Sequence, residues 1–95
     1  MIAPMVYADI PVALRRTIRE QYARQQRGLC FHCKESLDAP PPKRITAKKI
    51  DWSKFPRGRG FLMWPQHLHH SHETGLTIGT VHAYCNAVLF QYHGE

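Results

Sequence analysis

A chain of 95 residues supports one hydrophobic core, which excludes a two-domain enzyme closing over a large pocket. No run approaches the ~20 apolar residues of a bilayer-spanning helix, and Met1 to Ile10 lacks the basic start and apolar stretch of a secretory signal, so a cytoplasmic globular protein without membrane contact is expected. All 13 Lys and Arg lie at or before Arg59, giving residues 1–59 a net charge of +8, while the last 36 residues carry −2 and six of the seven histidines. The basic part suits a polyanion such as nucleic acid, and the histidine-rich part suits metal or proton chemistry.

Pro11 is placed to open a helix, and Leu14, Ile18 and Tyr22 recur at helical spacing with no Pro or Gly until Gly28, so a basic helix is expected over residues 11–27. Arg15, Arg16 and Arg19 flank its apolar stripe as candidate phosphate contacts. Residues 28–38 read as a tight turn carrying Cys30 and Cys33. Residues 39–66 read as a basic, proline-rich insertion: Pro40 to Pro42 must be extended, and Ile45, Ile50, Trp52 and Phe55 are anchors between cations. Within it Lys48, Lys49, Arg57 and Arg59 are candidate DNA contacts, the last two on a flexible glycine turn. His67 to His70 then reads as a strand, Leu76 to Val81 as a second, and Ala83 to Tyr92 as a helix with Ala87, Val88 and Phe90 facing inward.

A core this small calls for a staple. Cys30-x-x-Cys33 and His82-x-x-Cys85 are two pairs with the spacing of zinc knuckles, and together they make a Cys3His ligand set for one tetrahedral Zn2+. A redox pair has the same Cys-x-x-Cys spacing, but such pairs belong to βαβ units, and none is evident. Buried free thiols beside a surface His82 are the structural alternative.

Between the knuckles stand four histidines in six residues, His67, His69, His70 and His72, and Asn86 directly follows Cys85. A plain histidine-rich loop that picks up adventitious metal is one reading of that run. The pattern His69-His70-x-His72-Glu73-Thr74-Gly75, then Gly79, then His82-x-x-Cys85-Asn86, resembles the HNH or ββα-metal nucleases, most closely the recombination endonuclease VII branch. The similarity covers about Arg15 to Tyr92. It departs from that branch at His69, where an Asp is usual, at His82, where a cysteine is usual, and in the long insertion.

The resemblance implies an α+β fold: a small zinc-stapled ββα-metal domain of residues 67–93 preceded by the N-terminal helix, the whole of residues 1–95 forming one domain. It implies a metal-dependent endonuclease that hydrolyses phosphodiester bonds of double-stranded DNA, in a phage-like setting and hence in a host cytoplasm. His70 would be the general base. His69 and Asn86 would hold the catalytic divalent cation, and His72 would orient the phosphate or complete the metal shell. A neutral His69 in place of Asp should weaken Mg2+ relative to Mn2+, Co2+, Ni2+ or Zn2+. Monomer and homodimer are equally open. The alternative is a non-catalytic nucleic-acid-binding zinc module. One geometric condition attaches to the nuclease reading. Adjacent strand residues point to opposite faces, so His69 and His70 converge only if the strand bends between them.

Overall fold

Pro11 follows a short 3-10 turn at Tyr7–Asp9, and helix α1 runs over Val12–Gln25. The structure, a computed structural model describing residues 2–94, contains among those residues three helices and one two-stranded antiparallel sheet. Pro11 is the N-cap rather than the first helical residue, and the helix stops before 27 because Arg27 and Gly28 both take positive φ. Tyr22 is buried and Ile18 half-buried as the stripe requires. Leu14, expected in the same stripe, is 51% exposed and lines an open apolar groove with Met5, Val6 and Ile10.

Strand β1 (Gln66–His70) pairs with β2 (Thr77–His82), and helix α3 (Ala83–His93) follows without a loop. The register runs from Gln66 opposite His82 to His69 opposite Gly79 and then jumps to His70 opposite Thr77, leaving Ile78 as the additional residue of a bulge. The strand thus breaks its alternation between His69 and His70. One sheet face carries Leu68, which packs with Ile10 and Tyr22 beside α1. The other carries Val81, which packs with Val88 and Leu89 of α3 and with all three cysteines. Phe90, expected inside, stays 37% exposed at the rim, where it meets Phe55 at a tilt and His72 edge-on.

α1 is tied to β2 by the Tyr22 hydroxyl at 2.8 Å from Thr77 Oγ1, by the Thr80 hydroxyl donating to Arg19 O at 2.6 Å, and by the residue that caps its C-terminus. Gln26 donates to the carbonyls of Leu29 and Thr80 and accepts from the Thr80 amide, at 2.7–2.8 Å. So close an approach leaves no room on the strand: a Cβ at Gly79 would lie 2.6 Å from Gln26 Oε1 and 3.1 Å from the Phe31 ring.

Two regions differ from expectation. Residues 2–10, which carry no strong periodic signal, run alongside β2: the Tyr7 amide donates to Gly75 O and the Thr77 amide to Met5 O, both at 2.8 Å, and Val6 bridges Leu76. The basic insertion is not a loose loop. It forms a short helix α2 (Lys43–Thr46) and two 3-10 turns, Trp52–Lys54 and Gly58–Leu62, the second replacing the flexible glycine turn. Ile45 and Phe55 are buried. α3 holds the segment by its backbone, with the Tyr84 hydroxyl on Lys48 O and the Gln91 amide and Tyr92 hydroxyl on Lys49 O. No helix among the described residues is long and apolar enough to cross a membrane.

Candidate functional site

Two polar centres lie on either side of α3's first turn. The first is built from the knuckle after α1 and the junction of β2 with α3. Lys34, with φ of 67°, reverses the chain so that Cys30 and Cys33 face one point, and the Lys34 amide closes the turn on Cys30 O at 3.0 Å. His82 ends β2 and caps α3, which puts Cys85 one turn further on.

The ligand atoms of Cys30, Cys33, His82 and Cys85 all lie within 4.8 Å of one another, and all four residues are buried. His82 Nδ1 is 3.4 Å from Cys33 Sγ and 3.7 Å from Cys85 Sγ. A tetrahedral zinc with ordinary Zn–S and Zn–N bonds keeps its donors roughly 3.5–3.8 Å apart, so the set has the dimensions of a zinc shell. Its orientation fits as well. His82 Nε2 lies 2.8 and 2.9 Å from the carbonyl oxygens of Ser36 and Ala39, which can only accept, so the ring proton sits there and the Nδ1 lone pair faces the sulfurs.

The three thiols lie close enough to shift one another's pKa. A hydrogen bond from Cys85 lowers the Cys30 thiol to about 4 against the cost of burial. The same pairing pushes Cys85 upward, and burial raises Cys33. A metal ion relieves this competition by taking all three as thiolates. Cys30, Cys33, His82 and Cys85 are therefore a buried Cys3His group able to hold zinc, and no disulfide links the cysteines.

The second centre gathers around Asn86, one residue beyond Cys85. His67 and His69, two apart on β1, share the sheet face that looks at α3. His69 Nδ1 donates to Asn86 Oδ1 at 3.1 Å, and Asn86 Nδ2 donates to His67 Nδ1 at 3.1 Å. His69 is 3% exposed. Burial holds His67 neutral, with a pKa lowered to about 4. His70, past the bulge, stacks on Tyr7 with ring centroids 4.0 Å apart, and Arg15 covers the Tyr7 ring at 4.5 Å. His72 tilts against His70 at 5.2 Å. Burial, followed by the charges of His72, His69 and Arg15, lowers the pKa of His70.

The structure thus brings together His69, Asn86, His70 and His72, with Arg15 beside His70 and Arg19 near enough to His67 to disfavour its protonation. The remaining cations make other contacts or stand exposed. Arg16 is ion-paired to Glu20 at 3.0 Å on the exposed side of α1. Lys48 and Lys49 lie by the end of α3, where Lys48 Nζ stands over Tyr92 at 5.2 Å. Arg59 stands over Trp52 at 6.0 Å, and Arg57 is exposed at the turn before it.

Among the described residues, no other Cys, His, Asp or Glu group of three or more assembles as the Cys3His group does. Tyr7 was missed from sequence, and His67 was named in the histidine run without being placed in the site. His67 had a usable signal, since its i, i+2 spacing from His69 puts both on one strand face. Tyr7 had none. No family model, curated protein or solved structure matches this chain.

Proposed function

We propose that the protein is an HNH-type endonuclease that hydrolyses phosphodiester bonds of duplex DNA, with a structural zinc at Cys30, Cys33, His82 and Cys85. The observation that carries the reading is the contact of His69 with Asn86 beside a stacked His70. The sequence motif requires those three residues to meet, and nothing in a purely structural knuckle does. The separation of 3.1 Å between His69 Nδ1 and Asn86 Oδ1 also suits two donors of one small cation, which at metal–ligand distances near 2.1 Å and a right angle stand roughly 3.0 Å apart.

In this reading His69 and Asn86 hold a divalent cation, Mn2+, Co2+, Ni2+, Zn2+ or Mg2+, which when bound neutralises charge on the scissile phosphate. The His69 ring proton then sits on Nε2, which frees the Nδ1 lone pair for the cation. His70 takes a proton from the attacking water. The new P–O bond forms as the bond to the 3′ oxygen breaks, and that oxygen leaves as a hydroxyl after taking a proton from solvent water. The lowered pKa of His70 keeps the ring free of a proton at neutral pH, as a base requires. Tyr7 holds its plane, and His72 stands where it can orient the phosphate. Arg15 and Arg19 are the cations best placed to receive the DNA backbone, with Arg16, Lys48, Lys49, Arg57 and Arg59 extending the basic surface.

Supercoiled plasmid incubated with the protein across a panel of divalent metals tests this directly. Nicked or linear product is expected, with the metal titration of His69→Ala and Asn86→Ala moved to higher concentration. No cleavage with any metal, together with retained DNA binding, would instead establish a nucleic-acid-binding zinc module.

A further inference from the structure

The two ends of an asparagine amide differ. One is an oxygen that can hold a cation and the other is an NH2 group that cannot. Turning the amide of Asn86 by half a rotation barely changes its shape, so packing does not choose between the two orientations. A neighbour with a fixed hydrogen-bonding polarity can.

His67 is such a neighbour. Its Nδ1 lies 3.1 Å from Asn86 Nδ2, a group that can only donate, so Nδ1 turns its lone pair toward the amide. The Phe61 ring, edge-on at 4.6 Å, fixes its plane. A lone pair accepts from Nδ2 and repels Oδ1, so the oxygen is sent the other way, toward His69. The strand supplies the placement: His67 and His69 are two apart on β1 and flank Asn86 from one face.

We propose that His67 is a positioning residue that locks the Asn86 amide with Oδ1 toward His69, making the pair a preset oxygen and nitrogen donor set for a divalent cation. The inference rests on the nuclease reading only in assigning a cation to His69 and Asn86.

Mn2+ suits the test because it prefers oxygen and nitrogen donors and leaves a zinc thiolate site alone. Its binding to the zinc-loaded protein is read from the loss of the free-ion electron paramagnetic resonance signal. Wild type should hold one Mn2+, and His67→Leu should hold it roughly 10–100-fold more weakly, the usual cost of losing a partner behind a metal ligand. His67→Asn keeps an acceptor oxygen near the Nδ1 position and should restore affinity to within a few-fold. In an Asn86→Asp background, where either turn of the carboxylate presents an oxygen, His67→Leu should have almost no effect.

Zinc content and melting temperature check the fold of each variant. Should His67→Leu not fold, His67→Gln, which reaches past the Nδ1 position, takes its place. Unchanged Mn2+ affinity in these variants overturns the inference and leaves the nuclease reading standing. A loss that neither His67→Asn nor Asn86→Asp relieves also overturns it, marking His67 as packing. A wild-type protein with no Mn2+ site removes the cation assignment and the inference together.

Discussion

The cysteine centre and the histidine centre sit one residue apart on α3, at Cys85 and Asn86, yet they are built on opposite principles. In the first, all four donors face a common point and are shut away from water, and backbone carbonyls orient the one imidazole. In the second, the side chains are held to one another through an amide, a stacked tyrosine and tilted rings, at the rim where a bulge ends the strand. A closed donor shell is suited to holding an ion as part of the core. A set of side chains hydrogen-bonded to one another is suited to keeping groups in place until something else binds.

The largest expected effect breaks the first centre. Cys30→Ser or Cys85→Ala should unfold the domain, since removing a ligand removes the metal-linked part of the folding free energy. Circular dichroism melts with and without a strong chelator check this, alongside elemental analysis for about one zinc per chain. A melt indifferent to chelation would leave the two centres alike in having no structural metal.

Next is His70→Ala, which acts on the second centre alone. Cleavage should fall ~10²-fold or more with the melting temperature almost unchanged, because losing a general base touches the chemical step. A variant that cleaves at the wild-type rate would move the base to His72 or His67. Gly79→Ala should be destabilising by about 1–3 kcal/mol. Its Cβ displaces Gln26, whose carboxamide makes three hydrogen bonds to backbone groups. Denaturant unfolding reads the change, and a Gly79→Ala protein as stable as wild type would show that Gln26 can move freely.

The smallest effect separates cations. Neutralising Arg15 and Arg19 together should flatten the salt dependence of DNA binding by about one unit for each phosphate that is no longer neutralised. The same number of substitutions among Lys48, Lys49, Arg57 and Arg59 should do less, because Lys48 stands over Tyr92 and Arg59 over Trp52 rather than over a ring stacked on the histidines. Equal slopes for the two sets would extend the DNA surface over the whole insertion.

The cysteine centre was almost wholly legible in the sequence, because three cysteines and one histidine at paired spacing leave few other ways to satisfy four buried donors. The strand, loop, strand and helix of the second half were legible too, since alternation and helical spacing are local signals. The N-terminal segment was not. Its pairing through Val6 and Leu76 joins residues 70 apart and leaves no periodic trace, and Tyr7 therefore reached His70 unannounced. The bulge was legible only as a condition on His69 and His70, because Ile78 is an ordinary strand residue and becomes extra only through the register. Leu14 and Phe90 follow the right spacing but lie beyond the reach of a two-stranded sheet.

The way α3 grips the insertion has a consequence for how this surface can change over generations. Tyr84, Gln91 and Tyr92 seize the carbonyl oxygens of Lys48 and Lys49, a group that every amino acid possesses. The grip thus depends on the backbone at these positions and not on their side chains, of which Lys48 adds a contact over Tyr92. The surface displayed at 48 and 49 can therefore vary one substitution at a time while α3 keeps its hold on the segment.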